Sequence, residues 1–201
     1  LIVFTAPSGA GKTTLVKHLL KEMDNLAFSV SATTRSRREN EKEGKDYYFL
    51  TKEAFSKKLE NKEFLEYQEV YDGNFYGTLI EEVDGLLQQG KHVIFDVDVE
   101  GALNIKKHYQ DQALTVFVQA PSIEILRQRL MRRNSESPET LEIRVEKAAE
   151  ENKYASRFDQ VVLNDVLEVA KEDVCRIVNF FLTNDFLNSF VTKREVIAEE
   201  V

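Results

Sequence analysis

The sequence is poor in the residues that would place it in several large classes of protein. Its 201 residues include one cysteine, three prolines, eight glycines and no tryptophan. A single cysteine, Cys175, can form neither an intrachain disulfide nor a cysteine-based metal site. With 42% hydrophobic residues, the composition also excludes collagen-like, low-complexity and mostly disordered chains. We therefore expect the chain to fold as a single globular domain.

Long hydrophobic runs and an excess of basic residues are also missing. The best apolar stretches, such as 93–95 and 114–118, have the length of strands rather than of membrane spans. The formal charge of −8 argues against broad binding to nucleic acids or to anionic lipid surfaces. The chain opens on Leu1 without a preceding basic stretch, which indicates a trimmed first strand rather than a signal peptide. We therefore expect a cytoplasmic protein with no nucleic-acid or membrane partner.

Short apolar runs alternate with segments of helical periodicity along most of the chain. This alternation is typical of an α/β fold, in which a central parallel sheet is flanked by helices. One predicted helix starts with a capping box at Thr78 and Glu81 and ends at Gly90. Others follow residue 12, start at Pro138 and span about 166–182. Strands are expected at 1–5, 26–32, 91–97, 114–119 and 160–163.

Two segments interrupt this alternation. The first is rich in Arg, Glu and aromatic residues and has short stretches of alternating polarity, which indicate a small β-containing insertion. The second is a polar, arginine-bearing loop between two helices, with the composition of a mobile lid. The tail could pack on the core or on a second subunit, so monomer and homodimer both stay open. The predicted parts are a core (1–32, 79–130 and 148–182), the insertion (about 33–78), the lid (about 131–147) and the tail (183–201).

Residues 6–13 match the phosphate-binding motif G-x-x-x-x-G-K-[ST] except at the first position, which is Ala6. Because a strand precedes the motif and a helix follows, backbone N–H groups and the positive helix end can face a polyphosphate. Ala6 costs little if its φ is negative, but it would strain the loop if its φ had to be positive. The motif predicts a site for ATP or GTP, formed by Ala6, Pro7, Ser8, Gly9, Ala10, Gly11, Lys12, Thr13 and Thr14.

Two oxygen-bearing side chains are candidates for binding Mg²⁺. The hydroxyl of Thr13 is the usual metal ligand of the motif, and Lys12 beside it would contact the β and γ phosphates. Asp96 ends the apolar strand 93–95, and parallel-sheet enzymes bind ligands at such strand ends. A helix-capping role is the alternative for Asp96.

Six strings of the sequence form a further pattern, at 6–14, 29–35, 44–47, 75–78, 96–101 and the arginine-bearing segment 129–144. Together they resemble the guanylate kinases, the nucleoside monophosphate kinases that phosphorylate GMP. The similarity runs from residue 1 to about 182. It implies a P-loop nucleoside monophosphate kinase fold, Mg²⁺ as cofactor, and ATP and GMP as substrates. The insertion would then bind GMP.

The resemblance also implies which residues bind GMP. Guanidinium and phenol donors suit a dianionic phosphate, and a buried Glu66 would accept two hydrogen bonds from guanine while repelling adenine. Alternatives stay open for each: a solvated basic patch, strand aromatics that merely pack, and a Glu66 that faces solvent. Glu41 either steers the arginines or is a solvent-facing loop acid. The implied phosphate ligands are Arg35, Arg38, Tyr47 and Tyr76, and the implied base ligands are Ser31, Glu66, Thr78 and Asp98.

Catalysis by such a kinase needs no general base, because a phosphate oxygen of GMP is already ionised near neutral pH. The implied catalytic residues are cations that align and neutralise the transferred group. Arg129 and Arg132 could substitute for the lid arginines or face water, and Asn164 is implied near the adenine of ATP. The implied catalytic set is Lys12, Arg35, Arg133 and Arg144, and Lys12 and Arg133 are also implied to bind ATP.

Three other functional interpretations compete with a guanylate kinase. A catalytically inactive scaffold module of the same fold would bind phosphopeptides, but such modules usually lack the intact motif found at Gly9, Gly11, Lys12 and Thr13. A kinase for another monophosphate would share the phosphate loop. A P-loop GTPase would need an Asn-Lys-x-Asp string, which the sequence lacks.

Overall fold

The chain folds into β-strands and α-helices. The computed structural model describes residues 1–70, 73–132 and 138–183. The strands are β1 (Ile2–Thr5), β2 (Leu26–Phe28), β3 (Ala32–Thr33), β4 (Tyr48–Phe49), β5 (Phe64–Val70), β6 (Asn74–Leu79), β7 (His92–Asp96), β8 (Leu114–Gln119) and β9 (Gln160–Leu163). The helices are α1 (Lys12–Glu22), α2 (Lys52–Glu60), α3 (Ile80–Gln88), α4 (Val99–Tyr109), α5 (Ile123–Arg132), α6 (Pro138–Asn152) and α7 (Leu167–Leu182).

Five strands form a sheet in the order β2-β7-β1-β8-β9. The pairings of β2 with β7, β7 with β1 and β8 with β9 are parallel. The side chains of Ile2, Val3 and Phe4 in β1 are fully buried, as are Val93 and Ile94 in β7. Continuous apolar runs of this kind occur in parallel strands that are covered on both faces. The predicted α/β class with a central parallel sheet is confirmed.

The chain divides into two compact units. The first consists of residues 1–5 and 20–115, and the second of residues 6–19 and 116 onward. The first unit contains a four-stranded sheet in the order β4-β3-β6-β5, in which β5 and β6 form an antiparallel hairpin. Phe55 of α2 is buried and stacks on Phe64 of β5 with ring centroids 4.3 Å apart. Helix α3 packs on β7 and α4 packs on β1.

The second unit contains the phosphate loop and the helices α5, α6 and α7. Helices α5 and α6 pack against each other, and Arg127 forms an ion pair with Glu142 between them. Helix α7 packs on β9 and buries Ala170, Val174 and Val178, which recur at the spacing of one helix face. The predicted helix at about 166–182 is confirmed.

The strand predicted at 26–32 is two strands that belong to different sheets. β2 pairs with β7 through Phe28, and the N–H of Ser29 makes a last hydrogen bond to Ile94. The backbone then leaves β7, and Ala32 in β3 pairs with Tyr48 and Gly77. The prediction of a single strand was wrong because both halves are apolar, and polarity does not report which strand each half pairs with.

The start of α3 also differs from the prediction. The capping box predicted a helix from Thr78, but Thr78 belongs to β6 and the helix begins at Ile80 without a side-chain cap. Thr78 pairs with Glu66 across the hairpin, and its hydroxyl bonds to that carboxylate. Thr78 is therefore a strand residue that pairs with β5, although the local sequence predicts a helix cap at this position. Helix α2, which begins after an N-cap at Thr51, was not predicted.

No helix within the three described ranges combines the length and the apolar character that a bilayer span requires.

Candidate active site

The phosphate loop connects β1 to α1. The N–H of Ala10 donates to Pro7 at 3.1 Å, and the N–H of Thr14 donates to Gly11 at 3.1 Å as the helix begins. Gly9 and Gly11 have φ of +92° and +99°, a region that L side chains rarely adopt, so both positions require glycine. Ala6 is not among the residues with positive φ. The replacement of the first motif glycine by Ala6 therefore introduces no backbone strain.

The loop leads into the N-terminal end of α1. Lys12 and Thr13 are the first two residues of this 11-residue helix, with Lys12 half-buried and Thr13 and Thr14 exposed. The first turn of a helix has N–H groups without intrahelical partners and carries a partial positive charge. This end of α1 is therefore suited to bind an anion such as a polyphosphate.

Two side chains lie against the back of the phosphate loop. Asn164, which is 4% exposed, donates from Nδ2 to the carbonyl of Ala10 at 2.7 Å. Arg129 of α5 donates from Nη2 to the carbonyl of Asn164 at 2.9 Å and from Nη1 to that of Ala10 at 3.5 Å. Arg129 thus bonds to backbone carbonyls. The sequence analysis considered only that Arg129 substitutes for a lid arginine or faces water. It missed the contacts with the loop because no local pattern links residue 129 to residues 10 and 164.

The arginines expected to reach ATP are only partly described. Arg132 is exposed at the end of α5, and Arg144 is half-buried on α6. Arg133 lies outside the described residues, together with the rest of 133–137. Of the ATP-site residues predicted in the second unit, the structure therefore describes the phosphate loop, Arg144 and Asn164.

In the first unit, Arg35 is the centre of a cluster of charged and aromatic side chains. Its Nη1 and Nη2 donate to the carboxylate of Glu41 at 2.9 and 2.8 Å, and its Nε donates to the hydroxyl of Tyr76 at 3.1 Å. The guanidinium lies 5.3 Å from the ring centroid of Tyr47, a cation–π arrangement. The ring of Tyr47 also meets that of Tyr76 edge to face, with centroids 5.8 Å apart.

Glu41 bonds to Arg35 and Arg38 and is not a solvent-facing loop acid. Besides its two bonds to Arg35, it accepts a hydrogen bond of 2.8 Å from the backbone N–H of Arg38. The hydrogen bond from Arg35, followed by that from Arg38, lowers the pKa of Glu41 to about 2. A further bond from Arg35 Nη1 to the carbonyl of Ser36 leaves one Nη2 hydrogen without a partner among the described residues. The side chain of Arg38 is exposed.

The carboxylate of Glu66 lies in a buried, polar site between the hairpin and α4. Glu66 is 8% exposed and accepts a 2.6 Å hydrogen bond from the hydroxyl of Thr78, its cross-strand partner. A Cβ added at Gly101 would lie 2.9 Å from Oε2 of Glu66, so glycine is needed there for the carboxylate to fit. Burial, helped by the charge of Asp98 and opposed by the Thr78 bond, raises the pKa of Glu66 to about 7. Glu66 does not face solvent.

Asp96 and Asp98 have different roles in the structure. The carboxylate of Asp98 accepts a 2.8 Å bond from the N–H of Gly101 and caps α4. Asp96 is the last residue of β7, is half-buried and pairs in register with Phe4 of β1. The capping alternative considered for Asp96 is therefore wrong, because Asp98 occupies the cap.

Ser31, the last predicted base ligand, lies half-buried between β2 and β3, and its carbonyl accepts a 2.9 Å bond from the N–H of Tyr48. The neighbouring backbone is held by Glu82 of α3, which accepts from the N–H of Val30 at 3.4 Å and from the hydroxyl of Tyr48 at 2.7 Å. The Glu82 bond raises the pKa of Tyr48 to about 12. The sequence contains no indication that Glu82 makes these contacts, because its position is typical of an ordinary acidic residue on a helix surface.

A phosphate loop between a buried strand and a helix of a parallel α/β sheet defines a P-loop nucleotide-binding protein. The sequence model of the guanylate kinase family matches residues 1–180. A guanylate kinase of Bacteroides thetaiotaomicron is 50% identical over 185 residues, which cover 92% of this chain and 91% of the relative. The corresponding values for a guanylate kinase of Porphyromonas gingivalis are 48% over 183 residues, 90% and 97%.

A solved structure gives the same result. The crystal structure of guanylate kinase from Anaplasma phagocytophilum is 30% identical and matches with a TM-score of 0.71, covering 89% of this chain and 84% of that one. The chain belongs to the guanylate kinase family.

Proposed function

We propose that the protein transfers the γ-phosphoryl group of ATP to GMP, giving ADP and GDP. The observation that carries this proposal is the buried carboxylate of Glu66, bonded to Thr78, in the same compact unit as the Arg35 cluster. One site offers an acceptor for a base edge, and the other offers donors for a phosphate. GMP has both groups at its two ends.

Glu66 selects guanine over adenine by hydrogen-bond polarity. Guanine presents two N–H donors on its Watson–Crick edge, which an ionised carboxylate accepts together, whereas adenine presents an acceptor nitrogen there. A buried carboxylate left opposite that acceptor loses its partners, which costs far more than a mismatch in shape. Because the pKa of Glu66 is about 7, the carboxylate ionises readily near neutral pH when guanine donors arrive. Ser31, Thr78 and Asp98 complete the proposed base site.

The monophosphate of GMP binds to the Arg35 cluster. Arg35 supplies its remaining Nη2 hydrogen and its charge, Tyr76 and Tyr47 supply hydroxyl groups, and Arg38 supplies an exposed guanidinium. Glu41 holds the Arg35 fork in place before the substrate arrives. The proposed contacts are to the base and the phosphate and not to the ribose 2′-hydroxyl group, so we also propose dGMP as an acceptor.

ATP binds at the phosphate loop, residues 6–14, with Lys12 on the β and γ phosphates. The intact geometry at Gly9 and Gly11 supports an active enzyme rather than a scaffold module. The attacking group is an ionised phosphate oxygen of GMP, so the protein contributes alignment and charge neutralisation instead of a general base. The proposed catalytic cations are Lys12, Arg35, Arg133 and Arg144, and the further ATP ligands are Arg133 and Asn164.

Mg²⁺ enters with ATP. The hydroxyl of Thr13 and the carboxylate of Asp96 are hard oxygen donors of the kind that Mg²⁺ prefers, and these two residues would hold it. Bound to ATP, the ion neutralises charge on the phosphate chain. A single cysteine and phosphorylated nucleotide substrates fit a reducing compartment, and we place the reaction in cytoplasmic purine nucleotide metabolism.

An acceptor panel tests the proposal. ADP formation from Mg-ATP is measured with GMP, dGMP, AMP, CMP and UMP as separate acceptors. The native protein should turn over GMP and dGMP and should use AMP at least about 100-fold less well, since a site built to receive N–H donors rejects an analogue without them. Glu66→Gln should narrow the ratio of GMP to AMP turnover by about tenfold or more.

The opposite outcomes are equally informative. A folded protein that binds GMP but forms no ADP with any acceptor would contradict the proposal and favour the scaffold module. An unchanged GMP-to-AMP ratio in Glu66→Gln would show that another group reads the base. Glu69→Gln, on the same strand β5, is the matched control and should leave the ratio unchanged.

A further inference from the structure

The carbonyl of Ala10 in the phosphate loop receives two side-chain donors from distant parts of the chain. Asn164 donates to it from Nδ2 at 2.7 Å, and Arg129 approaches it with Nη1 at 3.5 Å. Arg129 also donates to the carbonyl of Asn164 at 2.9 Å, so the three residues form one connected hydrogen-bond network. Ala10 is fully buried and Asn164 is 4% exposed, so water does not compete effectively for these bonds.

We propose that Asn164 and Arg129 are positioning residues that orient the backbone N–H of Gly11 toward the phosphates of ATP. In a trans peptide the carbonyl of one residue and the N–H of the next point in opposite directions. The structure contains no cis peptide among the residues it describes. Fixing the Ala10 carbonyl toward Asn164 therefore turns the Gly11 N–H away from Asn164, and the proposed phosphate position lies on that opposite side.

The loop needs such a constraint because of its glycines. Gly11 has φ of +99°, and glycine occupies positive and negative φ about equally well. The peptide plane between Ala10 and Gly11 is therefore free to rotate unless a bond to its carbonyl selects one orientation. Asn164 supplies that bond, and it also lies against Gly11 closely enough that an added Cβ would overlap its amide nitrogen.

Arg129 strengthens this arrangement in two ways. Its bond to the carbonyl of Asn164 fixes the backbone from which the amide side chain extends. Its positive charge next to the Ala10 carbonyl polarises the peptide, which makes the N–H of Gly11 a better donor to an anion. Both effects act through the loop backbone and require no contact between Arg129 and the nucleotide.

This inference rests on the proposed ATP site, and it differs from the adenine contact implied for Asn164 by resemblance. A residue that contacts adenine affects ATP but not a phosphate chain that lacks a base. A residue that orients the Gly11 N–H affects both. Inorganic tripolyphosphate, which has the phosphate chain alone, therefore separates the two roles.

The experiment measures binding of ATP and of tripolyphosphate by calorimetry, together with KM for both substrates. Asn164→Ala and Asn164→Asp have in common only the loss of the amide donor. Each variant should lower the affinity for ATP and for tripolyphosphate by about tenfold or more. The KM for GMP should stay within about twofold in the same variants, a split that general destabilisation would not produce. Asn179→Asp, at an exposed position on α7, is the matched control and should bind both ligands normally.

Arg129→Met is measured in parallel in case the Asn164 variants do not fold. This variant should also lower the affinity for tripolyphosphate. Normal tripolyphosphate binding in the folded variants, with ATP alone weakened, would overturn the inference and leave Asn164 as an adenine contact. A native protein that binds GMP but neither ATP nor tripolyphosphate would overturn the proposed function and this inference together.

Discussion

The hydroxyl of Thr78 donates a 2.6 Å hydrogen bond to Oε1 of Glu66, and the two residues face each other directly across the β5–β6 hairpin. Burial raises the pKa of the Glu66 carboxyl to about 7, and this hydrogen bond opposes the rise. Removal of the Thr78 hydroxyl is therefore expected to raise the pKa of Glu66 further.

Thr78→Val should shift the acidic limb of the pH profile. In the proposed base site, guanine binds to ionised Glu66, so kcat/KM for GMP should fall as the pH drops through the pKa of Glu66 in the free enzyme. In the variant that fall should begin at higher pH, with kcat/KM at about pH 6.5 reduced about fivefold or more. Profiles of kcat/KM for both proteins, with GMP as the varied substrate, check this. Coincident profiles would show that Thr78 does not control the ionisation of Glu66.

Glu66→Gln should change how stability depends on pH. Because the pKa of Glu66 is raised by folding, its contribution to stability is full below its unfolded value and is lost as the pH rises through about 7. The ligand-free native protein should therefore lose up to about 3 kcal/mol from this group between about pH 5 and pH 8, and the variant should not. Urea unfolding of both proteins at the two pH values gives the double difference. Equal losses of unfolding free energy in the two proteins would contradict a buried, neutral Glu66 carboxyl.

Glu41→Gln should weaken GMP without affecting ATP. The change removes the charge that holds the Arg35 fork at 2.8 and 2.9 Å, so the guanidinium must be ordered when the phosphate binds. We expect KM for GMP to rise about fivefold or more and KM for ATP to stay within about twofold. Glu39→Gln, an exposed acid two residues away, is the control. A rise of equal size in the control would assign the effect to net charge.

Ala6→Gly should leave turnover within about twofold, because Ala6 does not have positive φ and gains nothing from glycine. Gly11→Ala should lower kcat/KM for ATP by about tenfold or more, since a side chain there has strained φ and overlaps Asn164. Steady-state kinetics on both variants test the pair. Improved turnover in Ala6→Gly would show that the missing first glycine limits the loop.

Lys12→Ala should lower turnover by about 100-fold or more, the scale expected for losing a charge that stabilises the transferred phosphoryl group. Lys17→Ala, on an exposed position of the same helix, removes an equal charge outside the motif and should have little effect. Single-turnover measurement with saturating ATP separates the chemical step from binding. Near-native turnover in folded Lys12→Ala would contradict the phosphate-loop assignment.

The residues that the sequence placed correctly are those whose signal is local. The phosphate loop needs glycine and lysine at fixed spacing between a strand and a helix, and both flanking elements are where that pattern predicts them. The strands β8 and β9 and helix α7 follow from short apolar runs and from one-sided helical periodicity. The resemblance to guanylate kinases rests on strings of the same local kind.

Long-range pairing decided the rest. Thr78 reads locally as a helix cap, yet β5 lies opposite it and its hydroxyl bonds to Glu66. Glu41 could face solvent or Arg35 as far as the sequence shows, and the folded chain brings the two together. The network of Ala10, Asn164 and Arg129 joins residues more than a hundred positions apart. The sequence by itself determined the α/β class and the phosphate loop, because periodicity and motif spacing are properties of neighbouring residues. Only the tertiary structure decided which polar groups meet, because a hydrogen bond between distant residues depends on how the intervening elements pack.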